Sequence, residues 1–200
     1  MDKKILWVGL FSLALIATAT TLALVFAKPV SFHGTSYNEP YPTAPQVELI
    51  NLNGETFRLS EQKGKVVLLF FGYTSCPDVC PTTLAELKQV MDGLEDKADL
   101  VQVVFVSVDP ERDTPEKIQN YVEHFNPNFI GLSGPTAELE NIWKDYGVFR
   151  EVVESDSAFG YIVNHTARTY LIDADGNLRL SYGFQTPVED IVSDLKILLK

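Results

Sequence analysis

VVLLFFGYTSCPDVCP, residues 66–81, places a continuously apolar run directly before two cysteines and the start of a helical pattern. Such a run is typical of a central strand that is covered on both faces. From Pro81 to about Leu94 the apolar residues have helical spacing. The stretch therefore predicts a strand-to-helix junction that carries Cys76 and Cys80, the only two cysteines of the chain.

Each cysteine of this junction precedes a proline. Proline disfavours helical geometry in the residue before it, and in a helix it is tolerated only at the start. We therefore predict that Cys76–Cys80 is a loop that caps the helix rather than part of the helix itself. The partial positive charge of a helix N-terminus favours thiolates, the nucleophilic and metal-binding form of cysteine. Gly72, close before the loop, permits a close approach of the backbone.

The residues after Val47 predict an α/β domain, because strand patterns alternate with helix patterns. Asn53-Gly54 and Asp175-Gly176 are typical turns of two β-hairpins. Further strands are predicted at about 100–108 and 129–132, and further helices at about 115–125, 136–146 and 187–199. This order fits a thioredoxin-like mixed sheet flanked by helices, with the cysteine loop at the carboxyl end of a central strand.

The N-terminus predicts a membrane-spanning helix. Ile5–Ala27 contains no charged residue and is long enough to cross a bilayer. Lys3 and Lys4 precede it, which places the N-terminus in the cytoplasm and the rest of the chain outside. A cleaved signal peptide is the alternative, although its apolar core is usually shorter. We expect a single-pass protein of the bacterial inner membrane with its domain in the periplasm.

Three segments follow from these patterns. Residues 1–28 are expected to be a membrane anchor or signal peptide, residues 29–45 a proline-rich extended tether, and residues 46–200 the folded domain.

The formal net charge of −11 argues against a nucleic-acid partner. Paired thiols outside the cytoplasm tend to oxidise, but a disulfide that encloses three residues constrains the unfolded chain little. Redox or metal chemistry is therefore a better explanation of the cysteines than a structural bridge.

Two sulfur ligands suit Cu(I) well and Zn²⁺ acceptably, but a metal usually needs a third ligand. The chain has three histidines. His33 falls in the tether and His124 on a helix, and for both an exposed position is the simpler interpretation. His165 lies shortly before the predicted strand at Thr169, where a thioredoxin-like fold brings the chain beside the cysteine loop. We favour His165 as the third ligand over a purely structural role.

Two further features of the sequence are polar. Asp78 lies between the cysteines, and its simplest role is to turn the loop. The segment Asp109–Asp113 follows a predicted strand and is rich in charge. It fits either a solvated loop or a loop that faces a partner, and the sequence does not separate the two.

Two long motifs resemble the Sco/SenC family of copper chaperones: FGYTSCPDVCP at residues 71–81 and SVDPERDTP at residues 107–115. The resemblance covers roughly residues 45–200. It implies that Cys76, Cys80 and His165 bind copper, as Cu(I) or Cu(II), and that the two thiols also serve as a redox pair. The family often has an aspartate where this chain has Asn164, which bears on hydrogen bonding around the histidine.

The resemblance also implies partners and a function. The function is delivery of copper to the dinuclear copper centre of cytochrome c oxidase, so the first partner is the copper-accepting subunit of that enzyme. Other copper chaperones and thioredoxin-like reductants are further partners. The family is also described as reducing the cysteines of the oxidase centre, so enzymatic activity stays open beside metal binding.

Two other functions compete with copper delivery. A periplasmic thiol–disulfide oxidoreductase or redox sensor would need Cys76 and Cys80 but not His165. Dedicated oxidoreductases usually have two residues between their cysteines, whereas this chain has three. A peroxidase would need an activated thiolate with an oxyanion-stabilising shell, and no arginine lies near Cys76 in the sequence.

Overall fold

The structure is a computed structural model that describes residues 3–26, 31–155 and 160–199. The chain divides into two compact units, Met1–Phe32 and His33–Lys200. The first unit contains helix α1 (Lys3–Phe26). Among the described residues no helix is both long and apolar enough to cross a membrane, so the predicted membrane-spanning helix is not confirmed.

The second unit alternates strands and helices. Its described strands are β1 (Thr35–Ser36), β2 (Glu48–Ile50), β3 (Thr56–Arg58), β4 (Val66–Gly72), β5 (Val101–Ser107), β6 (Ile130–Leu132), β7 (Arg150–Glu154), β8 (Tyr161–His165), β9 (Arg168–Ile172) and β10 (Leu178–Gly183). Its described α-helices are α2 (Val79–Leu94), α3 (Pro115–Glu123), α4 (Thr136–Asp145) and α5 (Val188–Leu198), and 3₁₀ helices span Leu59–Gln62 and Glu95–Leu100.

Six of these strands form a mixed sheet in the order β1-β10-β9-β4-β5-β6. Strands β4, β5 and β6 are parallel, whereas β9 is antiparallel to β4 and β10 to β9. All seven residues of β4 are buried, so both faces of this strand are covered, as its apolar run predicts. The mixed α/β sheet flanked by helices, predicted from the sequence, is therefore confirmed.

The two predicted hairpins and the helix predicted from about residue 115 also appear in the structure. Strands β2 and β3 pair around Asn53-Gly54, and β9 and β10 pair around Asp175-Gly176. Helix α3 begins at Pro115, and the side chain of Thr114 accepts a hydrogen bond from the Lys117 N–H. These elements are encoded by neighbouring residues, which explains why short sequence patterns located them.

The predicted tether differs from the structure along residues 33–45, which belong to the second unit. Strand β1 pairs with β10, and the Ala44 N–H donates to the Gly176 carbonyl. The buried carboxylate of Asp194 accepts the backbone N–H groups of His33 and Gly34. Residues 33–45 are held mainly through their main-chain groups, which need few large apolar side chains. The composition of the segment therefore indicated a tether although the segment is part of the fold.

The start of α2 also differs from the prediction. The helix begins at Val79, so Cys80 lies in its first turn rather than in a preceding loop. The first N–H groups of a helix have no partner within the helix, so Pro81 fits there without loss of a hydrogen bond. The prediction that the whole of Cys76–Cys80 lies outside the helix was therefore wrong at Cys80.

Strands β7 and β8 form an antiparallel hairpin that the sequence analysis did not predict. Arg150 at the start of β7 pairs with His165 at the end of β8. The segment before β9 is therefore a strand, and His165 is fixed by strand pairing rather than placed on a free loop.

Candidate thiol and metal site

The two cysteines lie beside the carboxyl end of β4. Cys76 is half-buried, Cys80 is buried, and both thiols are free. The N–H of Cys80 donates to the Cys76 Sγ at 3.4 Å, and the N–H of Cys76 donates to the Tyr73 carbonyl at 3.3 Å. A Cβ atom on Gly72 would lie 2.9 Å from the Cys80 Sγ, so glycine is required for this close approach.

The structure brings His165 to this pair. Its Nε2 atom lies 3.7 Å from the Cys80 Sγ. Its Nδ1 atom lies 3.1 Å from the Thr166 carbonyl oxygen, which can only accept a hydrogen bond. The Nε2 edge of the ring therefore faces the thiol pair, and the Nδ1 edge faces the backbone. The rings of Phe70 and Tyr73 stand edge-on to the imidazole, with centroid distances of 6.3 Å and 5.9 Å.

The other two histidines make contacts of their own. The Nδ1 of His33 lies 3.2 Å from an Asp190 carboxylate oxygen, and the side chain is half-exposed. The Nδ1 of His124 is hydrogen-bonded to the Asn120 carbonyl on α3, in an exposed position. His124 also lines an open groove of about 710 Å³ that reaches Ser75. These contacts agree with the exposed positions expected for both residues.

The two thiols differ in acidity. The hydrogen bond from the Cys80 thiol lowers the pKa of Cys76 to about 4; hydrogen bonds from the His165 ring and from the Cys80 and Asp78 backbones add to this, and burial opposes it. The same thiol–thiol bond, together with burial, raises the pKa of Cys80 well above its ordinary value. The half-buried Cys76 is therefore the thiolate at neutral pH, and the buried Cys80 keeps its proton.

The segment Asp109–Asp113 is not a solvated loop at its two aspartates, both of which are buried. The Asp113 carboxylate accepts hydrogen bonds from the N–H and the hydroxyl of Thr74, two residues before Cys76. It also accepts the hydroxyl of Ser107 at 2.9 Å. The segment therefore fixes the backbone that leads into the cysteine loop. The sequence indicated an exposed loop because a run of charged residues is usually solvated, and the hydrogen-bond partners of the two aspartates are visible only in the folded chain.

Asp78 and Asn164 lie at the surface. The Asp78 carbonyl accepts the N–H of Thr82, and the Asp78 side chain makes no capping hydrogen bond to the helix backbone. A role of the Asp78 side chain in turning the loop stays a prediction. The Asn164 amide donates to the Glu151 carboxylate across the hairpin.

The donor set suits a soft ion. Two sulfur atoms and a neutral imidazole nitrogen are ligands for Cu(I), and for Zn²⁺ as a second choice. In the part of the chain that the structure describes, no group of three or more His, Cys, Asp or Glu side chains is already arranged to hold a metal ion. The three side chains are neighbours, because the imidazole interacts with both thiols and the thiols interact with each other.

A thioredoxin-like domain with a thiol pair and an imidazole at a strand end belongs to the class of thiol- and metal-handling proteins. Residues 35–200 match the sequence model of the SCO1/SenC family. The chain therefore belongs to the SCO1/SenC family, as its two motifs predicted.

Similar proteins agree with this assignment. The SCO2-like protein of Rickettsia felis is 35% identical over 170 residues, which cover 84% of this chain and 83% of that protein. ScoI of Bradyrhizobium japonicum, solved with copper bound, is 39% identical with a TM-score of 0.70, and the match covers 78% of this chain and 99% of that one. The apo Sco1 protein of Thermus thermophilus is 38% identical with a TM-score of 0.70, covering 86% and 96%.

Proposed function

We propose that this chain is a copper chaperone that holds copper with Cys76, Cys80 and His165 and delivers it to the dinuclear copper centre of cytochrome c oxidase. The observation that carries the proposal is the 3.7 Å distance between the Cys80 Sγ and the His165 Nε2, beside a Cys76 thiolate. Membership of the SCO1/SenC family and the copper bound to a 39%-identical relative support copper as the ion.

The acidities of the site fit a carrier that both holds and releases its ion. Cys76 is already a thiolate at neutral pH, so copper would displace a proton mainly from Cys80. The half-buried Cys76 is the ligand that an acceptor protein reaches first. Exchange of ligands from Cys76 outward would pass Cu(I) to the thiolates of the acceptor without releasing the free ion.

The location of the chain is part of the proposal. The uncharged run Ile5–Ala27 supports attachment to the outer face of a bacterial inner membrane, either as an anchor or, before cleavage, as a signal peptide. The acceptor is then the copper-binding subunit of the oxidase, with other copper chaperones or thioredoxin-like reductants as further partners. Protease digestion of intact spheroplasts tests this, because the domain should be accessible from outside.

A deletion strain and purified protein together test copper delivery. The deletion strain should assemble an oxidase that lacks its dinuclear copper centre, and the intact gene should restore it. The reduced protein should bind one Cu(I) per chain in competition with a chromophoric chelator. Binding of no Cu(I) by the reduced protein, or a normal oxidase in the deletion strain at low copper, would contradict the proposal.

A thiol–disulfide reductase role is the second candidate, and the low pKa of Cys76 favours it. A half-exposed thiolate attacks a disulfide, and Cys80 can then resolve the mixed disulfide. The two roles separate at His165, since the imidazole is a proposed copper ligand but only a secondary cause of the low pKa of Cys76. A His165→Ala variant that restores the oxidase fully in the deletion strain would favour the reductase over the chaperone.

A further inference from the structure

The side chain of Arg112 connects the segment Asp109–Asp113 to the hairpin that carries His165. Its Nε donates to one oxygen of the buried Asp109 carboxylate. Its Nη1 donates to the Tyr161 carbonyl at 3.0 Å, and the guanidinium stacks over the Tyr161 ring at 3.6 Å. The Tyr161 hydroxyl in turn donates to the other oxygen of Asp109 at 2.8 Å. The first residue of β8 is therefore held through its carbonyl, its ring and its hydroxyl.

A second contact holds the middle of the same strand. The N–H of Val163 donates to the Tyr73 hydroxyl at 3.2 Å, and Tyr73 lies in the stretch between β4 and Cys76. The Arg112 guanidinium also lies 5.6 Å from the Tyr73 ring. One arginine therefore contacts the aromatic rings that belong to both anchoring points of β8.

The two anchors and the proposed ligand lie on one strand at alternate positions. Residues i, i+2 and i+4 of a strand share one face, so Tyr161, Val163 and His165 all face the same way. The imidazole itself stands edge-on to Tyr73. The distance of the imidazole from the Cys80 Sγ therefore depends on the contacts that hold β8 at Tyr161 and at Val163.

From these contacts we propose that Arg112 is a positioning residue, which fixes strand β8 and so sets the place of the His165 imidazole relative to the thiols. The inference rests on the proposed function, because it takes the His165 imidazole to be a copper ligand. Arg112 itself does not touch the ion. Its loss should loosen the hairpin and weaken only that part of copper binding which depends on His165.

The test compares Arg112→Ala with Arg179→Ala in the full chain. Arg179 is a matched control, because it also binds a carboxylate, that of Asp173 at 3.2 Å, and also stacks on a tyrosine ring, that of Tyr41 at 4.0 Å. In the copper-free protein, Arg112→Ala should speed hydrogen exchange of the Val163 N–H about tenfold, whereas Arg179→Ala should leave it unchanged.

Copper affinity supplies the second measurement, made with and without the imidazole. Arg112→Ala should weaken Cu(I) binding about tenfold in the otherwise unaltered chain, the range found when groups that orient a ligand are removed. In a His165→Ala background the same substitution should have no further effect, because a residue that acts through another is not additive with it. Arg112→Lys keeps the positive charge but loses the planar guanidinium with its several N–H donors. Its Cu(I) affinity should lie between those of Arg112→Ala and the unaltered chain.

Tyr161→Leu covers the case in which Arg112→Ala does not fold. It leaves the Asp109–Arg112 pair intact and removes the ring and hydroxyl contacts, so Val163 exchange should rise roughly threefold. Unchanged Val163 exchange in both variants would overturn the inference, and so would a loss of copper affinity that persists without His165. If the unaltered chain binds no copper, the proposed function fails, while Val163 exchange still decides whether Arg112 holds β8.

Discussion

The cysteine loop and the β7–β8 hairpin contribute to one site, but they are held in different ways. The hydrogen bonds inside the loop join near neighbours, Cys80 to Cys76 and Cys76 to Tyr73. The distant Asp113 holds only the stretch that leads into the loop, at Thr74. The hairpin is held from far along the chain: Val163 bonds a side chain 90 residues away, and Tyr161 bonds one 49 residues away. The position of one thiol relative to the other is therefore set by local contacts, whereas the place of the imidazole depends on tertiary structure.

This difference predicts a hierarchy of effects. Changes at the thiols should remove the site, because Cys76 and Cys80 are the only cysteines of the chain. Changes at the imidazole or its supports should weaken the site but leave a thiol pair able to bind.

Replacing Cys80 by serine should have the largest effect. The hydroxyl is a hard ligand that stays protonated, so Cu(I) affinity should fall by more than about 100-fold. Competition with a chromophoric Cu(I) chelator measures this. Ser75→Ala, one residue before the loop, is the matched control and should bind as the unaltered chain does. Tight binding by Cys80→Ser would show that Cys80 is not a ligand.

Replacing His165 by alanine should have the next largest effect. Two sulfur ligands remain, so Cu(I) affinity should fall by about 10–100-fold rather than vanish. The same competition assay applies, with His124→Ala as the control, since His124 is bonded to its own helix. Equal Cu(I) affinities of the two variants would show that the His165 imidazole is not a copper ligand.

Gly72→Ala tests the packing behind the thiols. The added Cβ would lie 2.7 Å from the Phe105 ring and 2.9 Å from the Cys80 Sγ, so the free energy of unfolding should fall by about 1–3 kcal/mol. Urea unfolding of the reduced, copper-free protein measures this. Gly183→Ala is the control, since Gly183 also ends a strand but has open space where its Cβ would be. Equal unfolding midpoints would contradict the close approach.

The pH dependence of alkylation should show the smallest change. Because the Cys80 thiol lowers the pKa of Cys76 to about 4, Cys76 is a thiolate at and above neutral pH, and its reactivity is lost only as the pH falls toward 4. Its iodoacetamide rate should therefore change less than about twofold between pH 6 and 9, whereas an ordinary thiol would react much faster at the higher pH.

Removal of the neighbouring thiol supplies the comparison for this measurement. In Cys80→Ala the pKa of Cys76 should rise toward that of an ordinary thiol, and the alkylation rate should then climb with pH. A climbing rate in the unaltered chain would contradict the assignment of Cys76 as the thiolate.

The sequence predicted those parts of the fold that neighbouring residues encode. The apolar run of β4, the helix expected from about residue 115 and the two Asx-Gly turns all appear where they were expected. The mixed sheet followed from the order of these elements. His165 could be chosen among three histidines because it shortly precedes β9.

The parts that were missed depend on contacts between distant residues. Arg112, Tyr73 and Tyr161 have no spacing in the sequence that indicates their shared role. The buried positions of Asp109 and Asp113 follow from hydrogen bonds that only the folded chain provides. The pairing of residues 33–45 with the β10 edge uses the main chain, which carries no residue-specific signal.

X-ray absorption at the copper edge of the Cu(I)-loaded full chain tests the central claim most directly, because it counts the ligand atoms. The account predicts two sulfur neighbours at Cys76 and Cys80 and one nitrogen neighbour that disappears in His165→Ala. A shell of sulfur alone in the unaltered chain, or a nitrogen that persists without His165, would contradict it.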